Sequence, residues 1–397
     1  MLGHGIFASD DATWIHQRKV ASNLSTARAL RETMTESIRK YTIHLRQILE
    51  TSGRDGKSID IFQLFNRFTI EAFSEIGFGI NMKSMEMEGE HPFQTAFDRV
   101  QRCTILRFIR PPLFWKLQKA LGLGAEAQLR ADVKTIDNIV LDIIAQTFAR
   151  RQANEKRDGP TDIVSLSLDQ YENSPEGQNG EFDQQYLRDI VVNFLIAGRD
   201  TTAQALSWFL MNMTLHPRVL TKIRGEVKEV LSGLLDGTIN TPTMDQVQQL
   251  TYLEAALKES LRLYPAVPFS FKAAANDIVM SDGTFIRKGQ FIGLAGYAYR
   301  RQKYVWGPDA AEFNSERWID PETDKLVNYS AFKFFPFNAG PRICLGMNLA
   351  MLELKIVVAS LVSRLDIEVI EPEKVTYDFS MTLPVRGAMN ANIKPFK

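Results

Sequence analysis

Apolar residues recur at helical spacing along most of the chain. Residues 11–50 carry them with this period, and SIDIFQLFNRFTIEAFSEIGF, residues 58–78, repeats it and stops near Gly77 and Gly79. Residues 91–108 and 123–152 predict two more helices, split by a turn at Pro111-Pro112. The polar stretch YENSPEGQNGEF, residues 171–182, predicts an exposed loop. The longest apolar run follows: DQQYLRDIVVNFLIAGRDTTAQALSWFLMNMTLHP. Asp183 is its expected N-cap, and His216-Pro217 its stop. A helix apolar nearly all round belongs inside a core. Arg188, Asp189, Arg199 and Asp200 interrupt it, which argues against a membrane span. Two further helices are predicted over 217–234 and 243–263. Strand signals come only later. NDIVMSDGTFIRKGQFIGL has two short runs around an Asp282-Gly283 turn, the mark of a hairpin. A last helix runs from Gly346 to Arg364, and residues 365–393 read as short strands. The pattern gives a mainly α fold with a minor β part, taken as one domain over residues 1–397.

Composition adds little and excludes some classes. Of 397 residues, 45% are hydrophobic and 24% charged, as in a globular protein with a sizeable core. Forty-seven basic residues balance 47 acidic ones, so no bulk attraction to nucleic acid is expected. The two cysteines, Cys103 and Cys344, form neither a disulfide framework nor a paired zinc motif. A reducing compartment follows. MLGHGIFASDDATW is no signal peptide and no membrane anchor.

Four short stretches carry candidate chemistry. In FNAGPRICLG, residues 337–346, Cys344 stands just before a predicted helix and close to Arg342. Helix N-termini and cations favour a thiolate. Gly340 and Gly346 free the backbone to crowd N–H groups toward the sulfur, and Phe337 can cover it. The loop suits a metal held by one thiolate; it equally suits a buried structural cysteine. AGRDTT, residues 197–202, puts an acid and an alcohol, Asp200 and Thr201, inside the central helix. There Gly198, costing about 1 kcal/mol against Ala, asks for a reason such as the approach of something flat. It reads as a proton route to a metal-bound ligand, or as a polar dent. ESLR places Glu259 and Arg262 on one helix face, and WIHQR does the same for Trp14 and Arg18; each is by itself an ordinary surface pair.

Together these stretches resemble the cytochrome P-450 superfamily of heme-thiolate monooxygenases. FNAGPRICLG matches its heme-binding loop at Phe337, Gly340, Arg342, Cys344 and Gly346. The resemblance implies Cys344 as the axial iron ligand of heme b, which pushes electron density toward the iron. It implies Arg342, Trp14, Arg18 and Lys272 as propionate partners, and Asp200 and Thr201 as the oxygen-activation pair. Glu259 and Arg262 match the superfamily's E-x-x-R motif. FNSERW, residues 313–318, then makes Arg317 the third member of a buried charge triad, with Ser315 where the family usually has proline. The resemblance runs from Phe7 to the end but starts late. It implies a chain lacking the family's N-terminal anchor, first helices and part of its small sheet, which leaves open strand edges in 271–294.

GIFASDDATWIHQRKVAS, PAVPFSFKAA and DGTFIRKG resemble the branch that includes fatty-acid ω-hydroxylases of plants and fungi. The implied activity is insertion of one atom of O2 into a C–H bond of a lipophilic substrate, a long-chain fatty acid hydroxylated at its terminus. NADPH would act through a reductase partner. Phe194, Ala197, Val267, Pro268, Phe269, Thr382 and Leu383 would line the pocket, and Arg300, Arg301, Lys303 and Lys333 would lie on the reductase side. A monomer is expected, at the endoplasmic reticulum membrane for a full-length member. Two alternatives stand beside this reading: a heme-thiolate hydroperoxide isomerase or lyase, and a non-catalytic heme-binding fragment.

Overall fold

The computed structural model describes residues 1–23, 34–87, 89, 91–153, 162–172 and 184–396. Helices α1 (Asp11–Ser22) and α2 (Thr35–Arg54) occupy the first predicted helical region; residues 24–33 of that region lie outside the described residues. A short strand, β1 (Ile59–Asp60), precedes α3 (Ile61–Phe78). The helix starts at Ile61 rather than Ser58 because Asp60 caps it, its Oδ1 accepting the Gln63 N–H at 3.2 Å. At its other end Arg150 donates to the free carbonyls of Phe78 and Gly79 at 2.6 and 2.9 Å.

α4 (Pro92–Ile109) matches its prediction closely. The Pro111-Pro112 turn instead opens a helix, α5 (Pro112–Leu121). Proline is favoured at the first helical position, where its missing N–H would have no partner. α6 (Gly124–Gln152) follows, then α7 (Ile163–Glu172), which the periodicity did not reveal and which takes Tyr171 and Glu172 from the predicted loop. Residues 173–182 and the expected cap Asp183 lie outside the described residues.

α8 (Gln184–Leu215) is the central helix. It packs most extensively on α3 and also meets α6, α7, α9 (Pro217–Val230), α10 (Thr251–Leu263) and α11 (Met347–Val362). Leu206, Trp208 and Phe209 are sealed in this core, each contributing roughly 1.5–3 kcal/mol of transfer free energy. The predicted helix 243–263 is broken: one turn, Met244–Val247, starts on its own capping box between Thr243 and Gln246 and stops at Gln248 before α10 begins.

The β part is small. β2 (Ser270–Ala273) pairs antiparallel with β5 (Phe291–Leu294), and between them β3 (Ile278–Val279) and β4 (Phe285–Ile286) form the predicted hairpin. β6 (Leu365–Val369) pairs with β7 (Asn390–Pro395), whose other edge takes β1. Among the described residues no helix is long and apolar enough to cross a membrane.

Candidate functional site

Cys344 sits where the loop 337–346 meets α11, whose N-cap is Gly346. The loop folds on itself. The Cys344 N–H donates to the Phe337 carbonyl at 2.8 Å and the Ile343 N–H to that of Gly340 at 3.0 Å. Asn338 and Gly340 supply the left-handed backbone this requires, with φ of 65° and 71°. Phe337 is half-buried against the main core. The sulfur itself is solvent-accessible. It is nevertheless ringed by protein, and that crowding pushes the thiol pKa up against the downward pull of the Gly346 N–H and the Arg18 charge. This differs from the lowered value that the motif suggests: the protein alone keeps the thiol protonated, and a coordinating cation would remove the proton outright.

The cations expected around the loop do gather. Arg342 lies over the Trp14 ring at 4.3 Å and Arg18 over the same ring at 5.6 Å, so α1 and the cysteine loop share one aromatic plate. Arg342 also binds the Ser9 carbonyl at 2.9 Å and Asp10 at 2.6 Å. Lys272 is not part of this cluster; it lies exposed on β2. Among the described residues no three His, Cys, Asp or Glu side chains are grouped to hold a metal. The loop therefore offers a metal one soft ligand, beside positive charge, and suits a metal that arrives with the rest of its ligands and with anionic substituents. Heme fits that donor set.

α8 is buried on every side but one. Phe194, Ala197, Gly198 and Thr201 stay partly exposed while the residues around them are buried, and their spacing of i, i+3, i+4 and i+7 makes one stripe. The flat partner expected at Gly198 is in part the Phe73 ring of α3: a Cβ added there would lie 2.1 Å from it. The acid and the alcohol diverge. The Thr201 hydroxyl donates to its own helix, at the Ala197 carbonyl, 2.8 Å away. Asp200 turns toward α4, where it accepts from Gln101 and pairs at 2.8 Å with Arg199, which in turn pairs at 2.8 Å with Asp98. Burial pushes the Asp200 carboxyl up to about 6, against the pull of Arg199 and Gln101, with the Asp98 charge adding to the rise. The folded state thus prefers the protonated acid. The stability this supplies is full below the unfolded pKa near 3.8 and is lost as pH rises through about 6. Asp200→Asn cannot ionise, so its stability relative to the parent is expected to rise between pH 4 and pH 7.5, by roughly 1–3 kcal/mol. Urea unfolding at the two pH values measures this, and a gap that stays constant or shrinks contradicts it.

Of the pocket candidates, Val267 and Phe269 are open, at 38% and 40% exposure. Phe269 leans on Phe271, which stacks on Phe108 at the end of α4 with centroids 5.0 Å apart. Leu383 is different. It is buried in the core, and its backbone is pinned to α8 through Gln204 and Trp208. Thr382 is also buried, bound to Gln204 at 2.9 Å.

The charge triad is assembled and sealed. Glu259 takes both Nε and Nη2 of Arg262 at 2.8 Å and the Arg317 Nε at 3.0 Å. Sequence reasoning missed two more donors to the same carboxylate, the Trp318 indole and the Asn314 N–H, at 2.9 and 2.8 Å. Trp318 stands next to Arg317 in FNSERW, which is the only signal the sequence held. Of the basic residues assigned to a docking face, Arg300 is corrected: it is buried, its Nη2 on the Phe335 carbonyl at 2.6 Å and its guanidinium on the Phe335 ring. Lys303 is exposed, and Arg301 and Lys333 are half-buried against tyrosine and tryptophan rings.

Known proteins share this arrangement of sequence. The family model described as Cytochrome P450 matches residues 1–389. Cytochrome P450 86B1 of Arabidopsis thaliana is 33% identical over 99% of this chain and 71% of its own length. Cytochrome P450 94C1 of the same plant is 35% identical, over 99% of this chain and 78% of its own. A fungal relative, Cytochrome P450 monooxygenase cyp1 of Mycosarcoma maydis, is 32% identical over 94% of this chain and 58% of its own length. With 389 of its 397 residues matched by the family model, this chain belongs to the cytochrome P450 family of heme enzymes.

Proposed function

We propose that the chain is a monooxygenase that oxidises a long-chain fatty acid or a similar aliphatic substrate at a terminal C–H bond, with electrons from NADPH passed through a reductase. The observation that carries the reading is the setting of Cys344: an accessible sulfur on a constrained loop at a helix N-terminus, beside the Arg18–Trp14–Arg342 cluster. When bound, the heme iron supplies the redox chemistry that activates dioxygen. Cys344 would hold that iron through its thiolate. Arg18 and Arg342 would meet the anionic propionates, with Lys272, exposed on β2 outside their cluster, as a further cation. Thr201 holds a proton at its hydroxyl on the open stripe of α8, and Asp200 behind it takes one up at its carboxyl as pH falls toward about 6. Phe194, Ala197, Val267 and Phe269 present apolar surface that orients an alkyl chain and excludes water, with Leu383 backing them from the core. Lys303, with Arg301 and Lys333 behind it, offers positive charge to an acidic reductase face, and the enzyme acts as a monomer at the endoplasmic reticulum membrane.

The test is spectroscopic and chemical. The purified chain should show a thiolate-type band when reduced under carbon monoxide. With reductase and NADPH it should convert a long-chain fatty acid to its terminal alcohol. The band without any fatty-acid product would overturn the substrate, and no band would overturn the heme assignment. One observation favours a second reading, a hydroperoxide isomerase: Asp200 and Thr201 face different partners instead of each other. Turnover of a fatty-acid hydroperoxide without NADPH, and none of the free acid with it, would decide for that reading.

A further inference from the structure

The segment Leu2–Asp10 lies across α8 and is gripped there by its backbone. Asp189, 1% exposed, accepts the His4 N–H at 2.7 Å. One turn on, the fully buried Asn193 accepts the Phe7 N–H at 3.1 Å and donates to the Leu2 carbonyl at 2.9 Å. Gly3 and Gly5 make the grip possible. A Cβ on either would fall 2.0 Å from the Asp189 carboxylate or the Asn193 amide. Neither side chain is free to yield, since Asp189 is also held by Arg188 and Gln185 and Asn193 by the Asp189 carbonyl. The strap is tied at further points. Gln17 of α1 donates to the His4 carbonyl at 2.8 Å, and Arg342, beside Cys344, binds Ser9 and Asp10. Between these anchors Ile6 lines a narrow, mostly apolar crevice with Val20, Ile163, Ile190 and Phe194, to which Gln17 and Ser167 add polar edges. Phe194 is the first residue of the open stripe on α8.

We infer that Asp189 and Asn193 are positioning residues: by holding the backbone of Leu2–Phe7 they fix the apolar wall that Ile6 forms beside Phe194, and so how tightly an aliphatic chain is held. The inference rests on the monooxygenase reading with an aliphatic substrate. It accounts for two polar side chains buried in an otherwise apolar stretch of the central helix. An apolar residue at either place would take those partners from the partly buried backbone groups of the strap, which is costly. Neither residue touches the substrate. Their effect is on binding, transmitted through the main chain of a neighbouring segment.

The experiment compares Asp189→Asn, Asp189→Ala, Asn193→Ala and Gly5→Ala in the full heme-loaded chain, with palmitate as the probe. Hydrogen exchange of residues 2–9 reads the grip directly and does not depend on turnover. Gly5→Ala, Asn193→Ala and Asp189→Ala are expected to speed that exchange at least about tenfold, the loss of one or two hydrogen bonds. They should raise KM for palmitate by about tenfold and change kcat by less than about threefold, with the carbon monoxide band intact. Asp189→Asn keeps an oxygen for the His4 N–H but turns its amide N–H2 toward Arg188 and Gln185, so its exchange and KM are expected to fall between those of the parent and Asp189→Ala. Gly5→Ala lies outside α8, so it carries the comparison if an α8 variant fails to fold. A freed strap with unchanged KM, or unchanged exchange in Gly5→Ala, overturns the inference. A parent chain that shows the band but no fatty-acid oxidation counts against the substrate reading instead; there the exchange data still judge the grip, and palmitate binding by spectral titration judges the wall.

Discussion

Cys344→Ser is expected to leave the protein folded and to abolish both its thiolate-type spectrum and its turnover. The residue is exposed and its side chain makes no bond that the core depends on; the protein around it, the Gly346 N–H and the Arg18 charge act on its sulfur. Its replacement should therefore move stability by no more than about 0.5 kcal/mol, the usual size for an exposed position. The chemistry changes far more. A serine hydroxyl at the same place is harder and keeps its proton at any working pH, so it cannot supply the negative sulfur that a single-ligand metal site requires. The raised pKa of the thiol adds a second expectation. Ligation must displace a proton, so incorporation of heme into the parent chain should strengthen as pH rises. Cys103→Ser is the control. That residue lies on α4 with its sulfur near the Ala125 carbonyl, 3.7 Å away, and its loss should leave the band unchanged. A Cys344→Ser protein that retains the band, or a Cys103→Ser protein that loses it, refutes the ligand assignment.

The helices were readable wherever one face meets solvent, because the 3.6-residue period then marks the core side. α3 and α4 appear close to their predicted bounds for this reason. α5 and α7 escaped for local reasons: Pro112 looks like a breaker although it is also a good first residue, and α7 is only ten residues long. For α8 the same logic fails in another way. A helix apolar all round carries no sign of which face stays open, so the stripe from Phe194 to Thr201 is visible only once its neighbours are packed. Pairs at i, i+4 such as Trp14 and Arg18 can be read directly, whereas their meeting with Arg342 across most of the chain depends on tertiary folding. Asp189 and Asn193 read simply as interruptions of an apolar run, and Gly3 and Gly5 as loop punctuation; their complementarity is a property of two segments in contact. Arg300 shows the opposite error. A basic residue in a polar stretch suggests a solvated face, but its carbonyl is tied to Arg262 and its guanidinium is drawn under Phe335.

Glu259→Gln is expected to cost about 3–5 kcal/mol, enough to take most of the stability of an ordinary domain, which is about 5–15 kcal/mol. The carboxylate is 0% exposed, and it is the one anion that Arg262 and Arg317 share there. Its two oxygens receive five hydrogen-bond donors. Glutamine keeps one of those oxygens and turns a second donor toward guanidinium or indole N–H groups that need an acceptor. Arg262 is then left as a buried cation whose remaining partners are the carbonyls of Arg300, Ala310 and Glu312. Arg317 fares better, because Asp309 also holds it at 2.8 Å, so Arg317→Ala should cost less than Glu259→Gln. The damage reaches the candidate site by a short route. Trp318, bound to Glu259, packs edge-on against Phe334 with centroids 4.4 Å apart, just before Phe337 opens the cysteine loop. Heme retention should therefore fall together with stability. Urea unfolding and the heme content of purified protein measure both. The double variant Glu259→Leu/Arg262→Met separates lost charge balance from lost packing: with no uncompensated charge at those two positions it should be less destabilised than Glu259→Gln. A Glu259→Gln protein within about 1 kcal/mol of the parent would show that the three charges are held apart in solution, and that the triad is not what fixes this part of the fold.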